Sequence, residues 1–201
     1  MNNINKTIKN CLKLYIFDKN AVKELVSKTK WTTPLIILFI VILIQNIFNF
    51  IWDITNEIAE VKYLVLLYIL ITIGNLLGIF LASFIMHVLL KIVGSTKQYL
   101  NTVKIYSSIA FVPAILSTIL TIPMLGIDFE TLDETTIMII GTLSLLLFIP
   151  LFVYYMFVLV RTFSIAHKLS YLQTITALIL IPLALLALFI ILVIIFSIIM
   201  I

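Results

Sequence analysis

Charged residues in this chain fall into five short blocks. The stretches that separate and follow them, 31–52, 63–86, 105–127, 135–160 and 169–201, carry no formal charge. Each reaches the length of about 20 apolar residues that a helix needs to cross a hydrocarbon core of about 30 Å. The blocks also alternate in sign. Residues 1–30 hold seven Lys against Asp18 and Glu24, residues 87–104 hold Lys91, Lys97 and Lys104, and residues 161–168 hold Arg161 and Lys168. Between them lie Asp53, Glu57 and Glu60 with Lys62, and then Asp128, Glu130, Asp133 and Glu134. Basic residues in short loops mark the cytoplasmic side. The pattern therefore predicts five spans, a cytoplasmic amino terminus, an external carboxyl terminus, and loops that alternate between acidic outside and basic inside.

Composition decides the solvent. The chain is 63% hydrophobic and 11% charged, whereas soluble domains lie near 45–50% and 25%. In lipid every backbone amide must be satisfied internally, which leaves helices as the way to use runs of this length. The fold class is all-α, a polytopic membrane bundle of five transmembrane helices with an amphipathic amino-terminal segment. Residues 1–30 form that segment and residues 31–201 the membrane domain. The first run, Trp31 to Trp52, is too long for a signal peptide and reads as a retained span. The last, at 33 residues, predicts one long helix, tilted or kinked at Pro182, where proline removes a donor and clashes with the preceding turn. Pro34 suits the first turn of span one. Cys11 is the lone cysteine, so no intrachain disulfide forms.

Before span one, Ile8, Leu12, Tyr15, Ile16, Val22, Leu25 and Val26 recur at helical spacing, with lysines between them. This predicts a helix lying in the headgroup plane, apolar side down; the plainer reading is a tail whose lysines only fix topology. Residues 99–103 (Tyr-Leu-Asn-Thr-Val) and 171–175 (Tyr-Leu-Gln-Thr-Ile) match in type at an offset of 72, a weak internal repeat.

Gly74, Asn75, Gly78 and Ala82 form a small-residue stripe on span two. Such stripes let helices approach closely, here within the same bundle by preference or between copies as the alternative. His87 and His167 sit at the cytoplasmic ends of spans two and four, without a Cys or acid at ligand spacing, and read as structural. The acids of 128–134 match no cation loop. Gln45, Asn46 and Asn49 in span one and Ser107, Ser108, Ser117, Thr118 and Thr121 in span three are the polar groups at membrane depth. No Asp, Glu, Lys or Arg lies mid-span, where ion-coupled transporters and proton relays generally place them. Hydrolase, metalloprotease and nucleotide-binding signatures are missing; the nearest approach to a nucleophile motif, Gly141-Thr142-Leu143-Ser144, has no glycine after the serine and no histidine at a similar depth, and no paired nucleophile and base at one depth is seen. A basic soluble face for nucleic acid is also missing. No cofactor or metal is expected.

The run from His87 through Lys91 to Gly94, then Thr102, then Tyr106-Ser107-Ser108 leading to Pro113, resembles the Yip family (Ypt/Rab-interacting protein domain). So does Ala166-His167-Lys168-Leu169-Ser170 running into Gln173. The resemblance is densest over residues 80–185. It implies a five-span membrane adaptor, and Gly94, Tyr106, Ser107, Pro113, His167 and Ser170 carry the family pattern. The Asp-Leu-x-Gly-Pro signature of eukaryotic members is absent and the tail is short, so the chain is more similar to compact bacterial and archaeal relatives in a plasma membrane.

The expected function is a non-enzymatic scaffold or adaptor. Its basic cytoplasmic face, Lys91, Lys97, Lys104, Arg161 and Lys168, meets anionic headgroups or an acidic membrane partner, as a homo- or hetero-oligomer. The rival reading is a small transporter or channel using the neutral polar residues of spans one and three, which predicts a water-filled cavity near Asn46, Asn49, Ser107 and Thr118.

Overall fold

The computed structural model describes residues 2–55, 58, 60–124 and 133–199. It is helical throughout these residues: α1 (Asn2–Leu14), α2 (Lys19–Lys28), α3 (Thr32–Thr55), α4 (Val61–Ile92), α5 (Tyr99–Met124), α6 (Glu134–His167), α7 (Tyr171–Ile175) and α8 (Ile181–Ile199), with a π-helical turn over Thr176–Leu180. Five segments are long and apolar enough to cross a membrane, one in each charge-free run. The acidic residues Asp128 and Glu130 fall outside the described residues.

Helices α4 and α6 overshoot a bilayer core. Their 32 and 34 residues extend about 48 and 51 Å against about 30 Å of hydrocarbon. The excess lies at the end where α4 and α6 finish and α3, α5 and α7 begin, which also carries the lysine blocks and is called here the basic end. Buried side chains gather there: Leu90, Ile105, Ile109, Val158, Phe163 and Ala177 form one core. Toward the acidic end the helices separate, and residues such as Leu66, Leu147 and Leu186 are exposed. That surface suits lipid, which is as apolar as the side chains and drives no further burial. Helix α5 is the hub and packs on α3, α4, α6 and both short amino-terminal helices.

The last span is one nearly continuous rod with its irregularity where Pro182 requires it. Pro182 cannot donate to the turn before it, and the helix widens into the π turn of 176–180 just ahead of that residue. Pro34 lies buried in the first turn of α3.

The amino-terminal segment departs from the prediction of a helix lying on lipid. It is a helical hairpin, with Asp18 capping α2 by accepting from the amides of Asn20 and Ala21. Val22 and Leu25 of its apolar stripe, and beside them Cys11 and Leu14, are buried in the bundle core, with Ile8, Tyr15 and Val26 packed against it. Only Leu12, Ile16 and Ile4 remain exposed among its large apolar side chains. The stripe is wide enough to serve two surfaces, and the core at the basic end offers a protein surface for most of it.

Candidate functional site

Two helix ends build the site. Helix α4 stops with the Ser95 amide donating to the Leu90 carbonyl (2.9 Å) and the Gly94 amide to the Lys91 carbonyl (3.0 Å). This paired bond is the Schellman closure, which needs a left-handed residue at its centre. Gly94, at φ 99°, supplies it. Helix α6 stops similarly, with the Leu169 amide donating to Ser164, but here a lysine, Lys168, takes the left-handed position at φ 56°. Ser170 then opens α7 with a capping box: its hydroxyl accepts from the Gln173 amide while the Gln173 side chain accepts from the Ser170 amide. The Gln173 side chain also donates to the Val93 carbonyl (3.3 Å), which ties the two loops together.

These closures bring a buried polar network together. Ser95 Oγ lies 2.7 Å from His167 Nδ1, Thr102 Oγ1 lies 3.4 Å from His167 Nε2, and His87 Nδ1 lies 3.0 Å from the same threonine hydroxyl. Ser95 is 5% exposed, His167 2% and Thr102 fully buried. Both nitrogens of His167 therefore face hydroxyls, and Thr102 bridges the two histidines. A network satisfied in this way fixes the relative positions of the elements that carry it. It pairs a buried serine with a histidine, a juxtaposition that the sequence did not reveal. Ser95 was invisible to sequence reasoning because its partner is 72 residues away; that separation equals the offset of the weak repeat. The two repeat segments each open a helix, α5 and α7, with Thr102 and Thr174 fully buried at equivalent positions.

Beside the network the amino-terminal hairpin is fastened to the bundle. Tyr15 donates to the Ile109 carbonyl (2.6 Å), Tyr154 donates to the Tyr15 carbonyl, and Lys104 Nζ donates to the Val26 carbonyl (2.9 Å). Arg161 reaches the Phe17 carbonyl (3.4 Å) and lies over the Phe17 ring at 4.9 Å. Within the hairpin, Glu24 accepts from Asn10 and pairs with Lys6 and Lys28. These bonds hold its carboxyl below the usual carboxylate range, Asn10 first and Lys6 next. The Asp18 carboxyl is lowered too, chiefly by the Asn20 amide and then by the Ala21 amide and Lys13. Burial pushes the Cys11 thiol up to about 11.

The basic residues do not form one face. Lys91 and Lys168 are exposed and Lys97 is half-exposed, but Lys104 is only 6% exposed and is spent on the carbonyl end of α2. Lys104 is thus withdrawn from the headgroup-facing set, because α5 enters the core there and a helix C-terminus takes its charge. Of the family-pattern residues, His167, Gly94 and Ser170 meet at the network, Tyr106 packs against the core, and Pro113 lies farther along α5. Ser107 is fully buried and its hydroxyl has no partner, as is also true of Ser83 on α4.

The Gly74–Ala82 stripe does not pack inside the bundle. Gly74, Asn75 and Gly78 are exposed, Ala82 is half-buried, and nothing lies within 4 Å of a Cβ built at either glycine. Neighbouring α3 and α5 approach α4 on its other side. Several neutral polar groups of spans one and three bond to a neighbouring span or to their own helix: Asn46 to Thr72 of α4 (2.9 Å), Gln45 to Ser117 (2.9 Å) and Thr118 to the Ala114 carbonyl (2.8 Å). Thr121 lies in α5, and Asn49 is half-buried in α3. Among the described residues no cluster of three His, Cys, Asp or Glu is placed to hold a metal.

The architecture defines a multi-pass helical membrane protein whose core and polar network sit at one end of the bundle. A family model for the Yip1 domain matches residues 14–194, and the chain belongs to that family. No curated protein sequence and no solved structure matches the chain.

Proposed function

We propose that this chain is a non-enzymatic membrane scaffold or adaptor that works through its basic end, and that this end faces the cytoplasm. The observation that carries this reading is the convergence of family-pattern residues from α4, α6 and α7 on one locked polar network. That network frames the exposed Lys91 and Lys168 and the half-exposed Lys97. A rigid frame with free cations on its rim suits docking to anionic headgroups or to an acidic segment of another membrane protein. Ser95 and His167 have the spacing of a nucleophile and base, but they are closed from solvent and the third group is a threonine hydroxyl rather than a carboxylate. That arrangement favours a structural role over an acyl-transfer site.

The transporter reading has less support. Asn46, one of its four marker residues, borders a cavity that opens sideways between α3 and α4 against apolar neighbours such as Leu43, Ile47 and Val65. Cysteine substitution at Asn46, Asn49, Ser107 and Thr118 with membrane-impermeant thiol reagents tests it, and labelling at those sites would revive it.

The adaptor reading is tested by affinity purification from native membranes in mild detergent, with mass spectrometry of what co-purifies. A stoichiometric protein partner, lost when Lys91, Lys97 and Lys168 are changed together to Gln, is the expected outcome. A preparation identical for wild type and triple variant counts against it.

A further inference from the structure

We infer that the groove between α5 and α6 is a specific site for one anionic phospholipid, with its phosphate at Arg161 and an acyl chain lying between the helices. The groove holds about 430 Å³ and is lined by Tyr15, Leu116, Phe148, Leu151, Phe152 and Tyr154 among others. It opens sideways, because Leu116, Phe148, Leu151 and Phe152 are all exposed. A lipid chain is the occupant that such a lateral, predominantly apolar opening meets in a bilayer.

Depth along α6 matches this occupant. Counting about 1.5 Å per residue, the groove residues Tyr154 to Phe148 lie about 10–20 Å from Arg161, which brackets the half-thickness of about 15 Å of a hydrocarbon core. Arg161 then falls at the boundary where phosphates begin. No carboxylate neutralises it: among the described residues none lies within the 4.0 Å of an ion pair, and while one Nη donates to the Phe17 carbonyl and the guanidinium lies over the Phe17 ring, its Nε is buried without a hydrogen-bond partner. The nearest acid in sequence to its Phe17 contact, Asp18, is occupied by two backbone amides and Lys13. A guanidinium with open donors is the group suited to bind phosphate oxygens in pairs. Tyr15 forms one wall, so the bound lipid would touch hairpin and bundle together and fasten one to the other. This site stands whether or not the basic end recruits a protein partner.

The test is native mass spectrometry of the full-length protein, delipidated in mild detergent and given equimolar phosphatidylglycerol and phosphatidylcholine. One tightly retained phosphatidylglycerol is expected on the wild type. Arg161→Gln should lose the preference by about fivefold, the worth of one basic residue at a headgroup. Leu116→Trp, which fills the groove, should abolish retention of either lipid, whereas Lys62→Gln, at the opposite end of the bundle where Lys62 pairs with Glu60, should leave it unchanged. Equal retention of both lipids by the wild type would mean annular lipid only and would overturn the inference, as would unaltered preference in Arg161→Gln. If Arg161→Gln does not fold, Leu116→Trp decides, and full retention in that variant overturns it.

Discussion

Lys104 Nζ donates to the carbonyl oxygen of Val26 across 2.9 Å, and so a cation inside the bundle closes the last turn of an amino-terminal helix. The carbonyls of a helix's final turn lack intrahelical partners, and the helix dipole makes that end negative. One buried lysine answers both.

Lys104→Met keeps the length of the side chain and removes the charge. It should destabilise the protein by about 1.5–3 kcal/mol, the usual worth of a hydrogen bond to a charged group. Thermal unfolding in detergent measures the loss. The Cys11 thiol, which is 1% exposed and held protonated by burial, should at the same time react faster with alkylating reagents as the hairpin loosens. Unchanged alkylation would separate Lys104 from hairpin docking. Association with anionic liposomes should be unaffected by Lys104→Met and weakened by changing Lys91, Lys97 and Lys168.

The Ser95–His167 pair predicts a larger effect from the histidine side. His167→Ala leaves the hydroxyls of Ser95 and Thr102 without a shared partner and opens a cavity, at a cost of about 2–5 kcal/mol. Ser95→Ala removes one bond, and about 1–3 kcal/mol is expected. A double-mutant cycle on thermal stability should give strong coupling; additive losses would contradict the network.

The two left-handed residues predict opposite signs. Gly94→Ala forces a side chain into φ 99° and should cost about 1–2 kcal/mol. Lys168→Gly relieves the same strain at φ 56° and should raise stability by up to about 1 kcal/mol. Melting temperatures of the two variants moving in the same direction would refute this account of the helix ends.

Asp18 and Glu24 make the hairpin acid-sensitive. Their carboxyls are lowered in the folded state from ordinary values of 3.8 and 4.5. Groups with depressed values contribute their full stabilisation above the unfolded value and lose it as pH falls through the folded one. The hairpin should therefore be docked at and above pH of about 5 and loosen progressively below about 4. A spin label at Leu12→Cys should gain mobility over that window. Asp18→Asn should abolish part of the dependence, and a flat profile would count against it.

Gly74 and Gly78 face open space, so Gly74→Leu and Gly78→Leu should leave the melting temperature of the detergent-purified protein unchanged or slightly raised, since leucine is the better helix former. A fall would mean that another chain covers the stripe.

The charge blocks and the charge-free runs determined, by themselves, that the chain is a five-span helical membrane protein, and the short pattern around His87, Gly94 and His167 was enough to point to its family. Those are local or summed properties: an apolar run of sufficient length, or a glycine at a helix end, has its consequence wherever the rest of the chain lies. Tertiary structure decided what each polar group is for. Lys104 and Lys97 look alike in sequence, yet Lys104 is buried against α2 while Lys97, in the loop before α5, borders solvent, because the docking of a distant hairpin covers that side of α5. The same holds for Ser95, whose partner lies 72 residues on, and for the small-residue stripe, whose face depends on where α3 and α5 pack against α4. A bilayer tolerates either face of an apolar helix, so hydrophobicity alone could not choose between them; packing and hydrogen bonding at the basic end did.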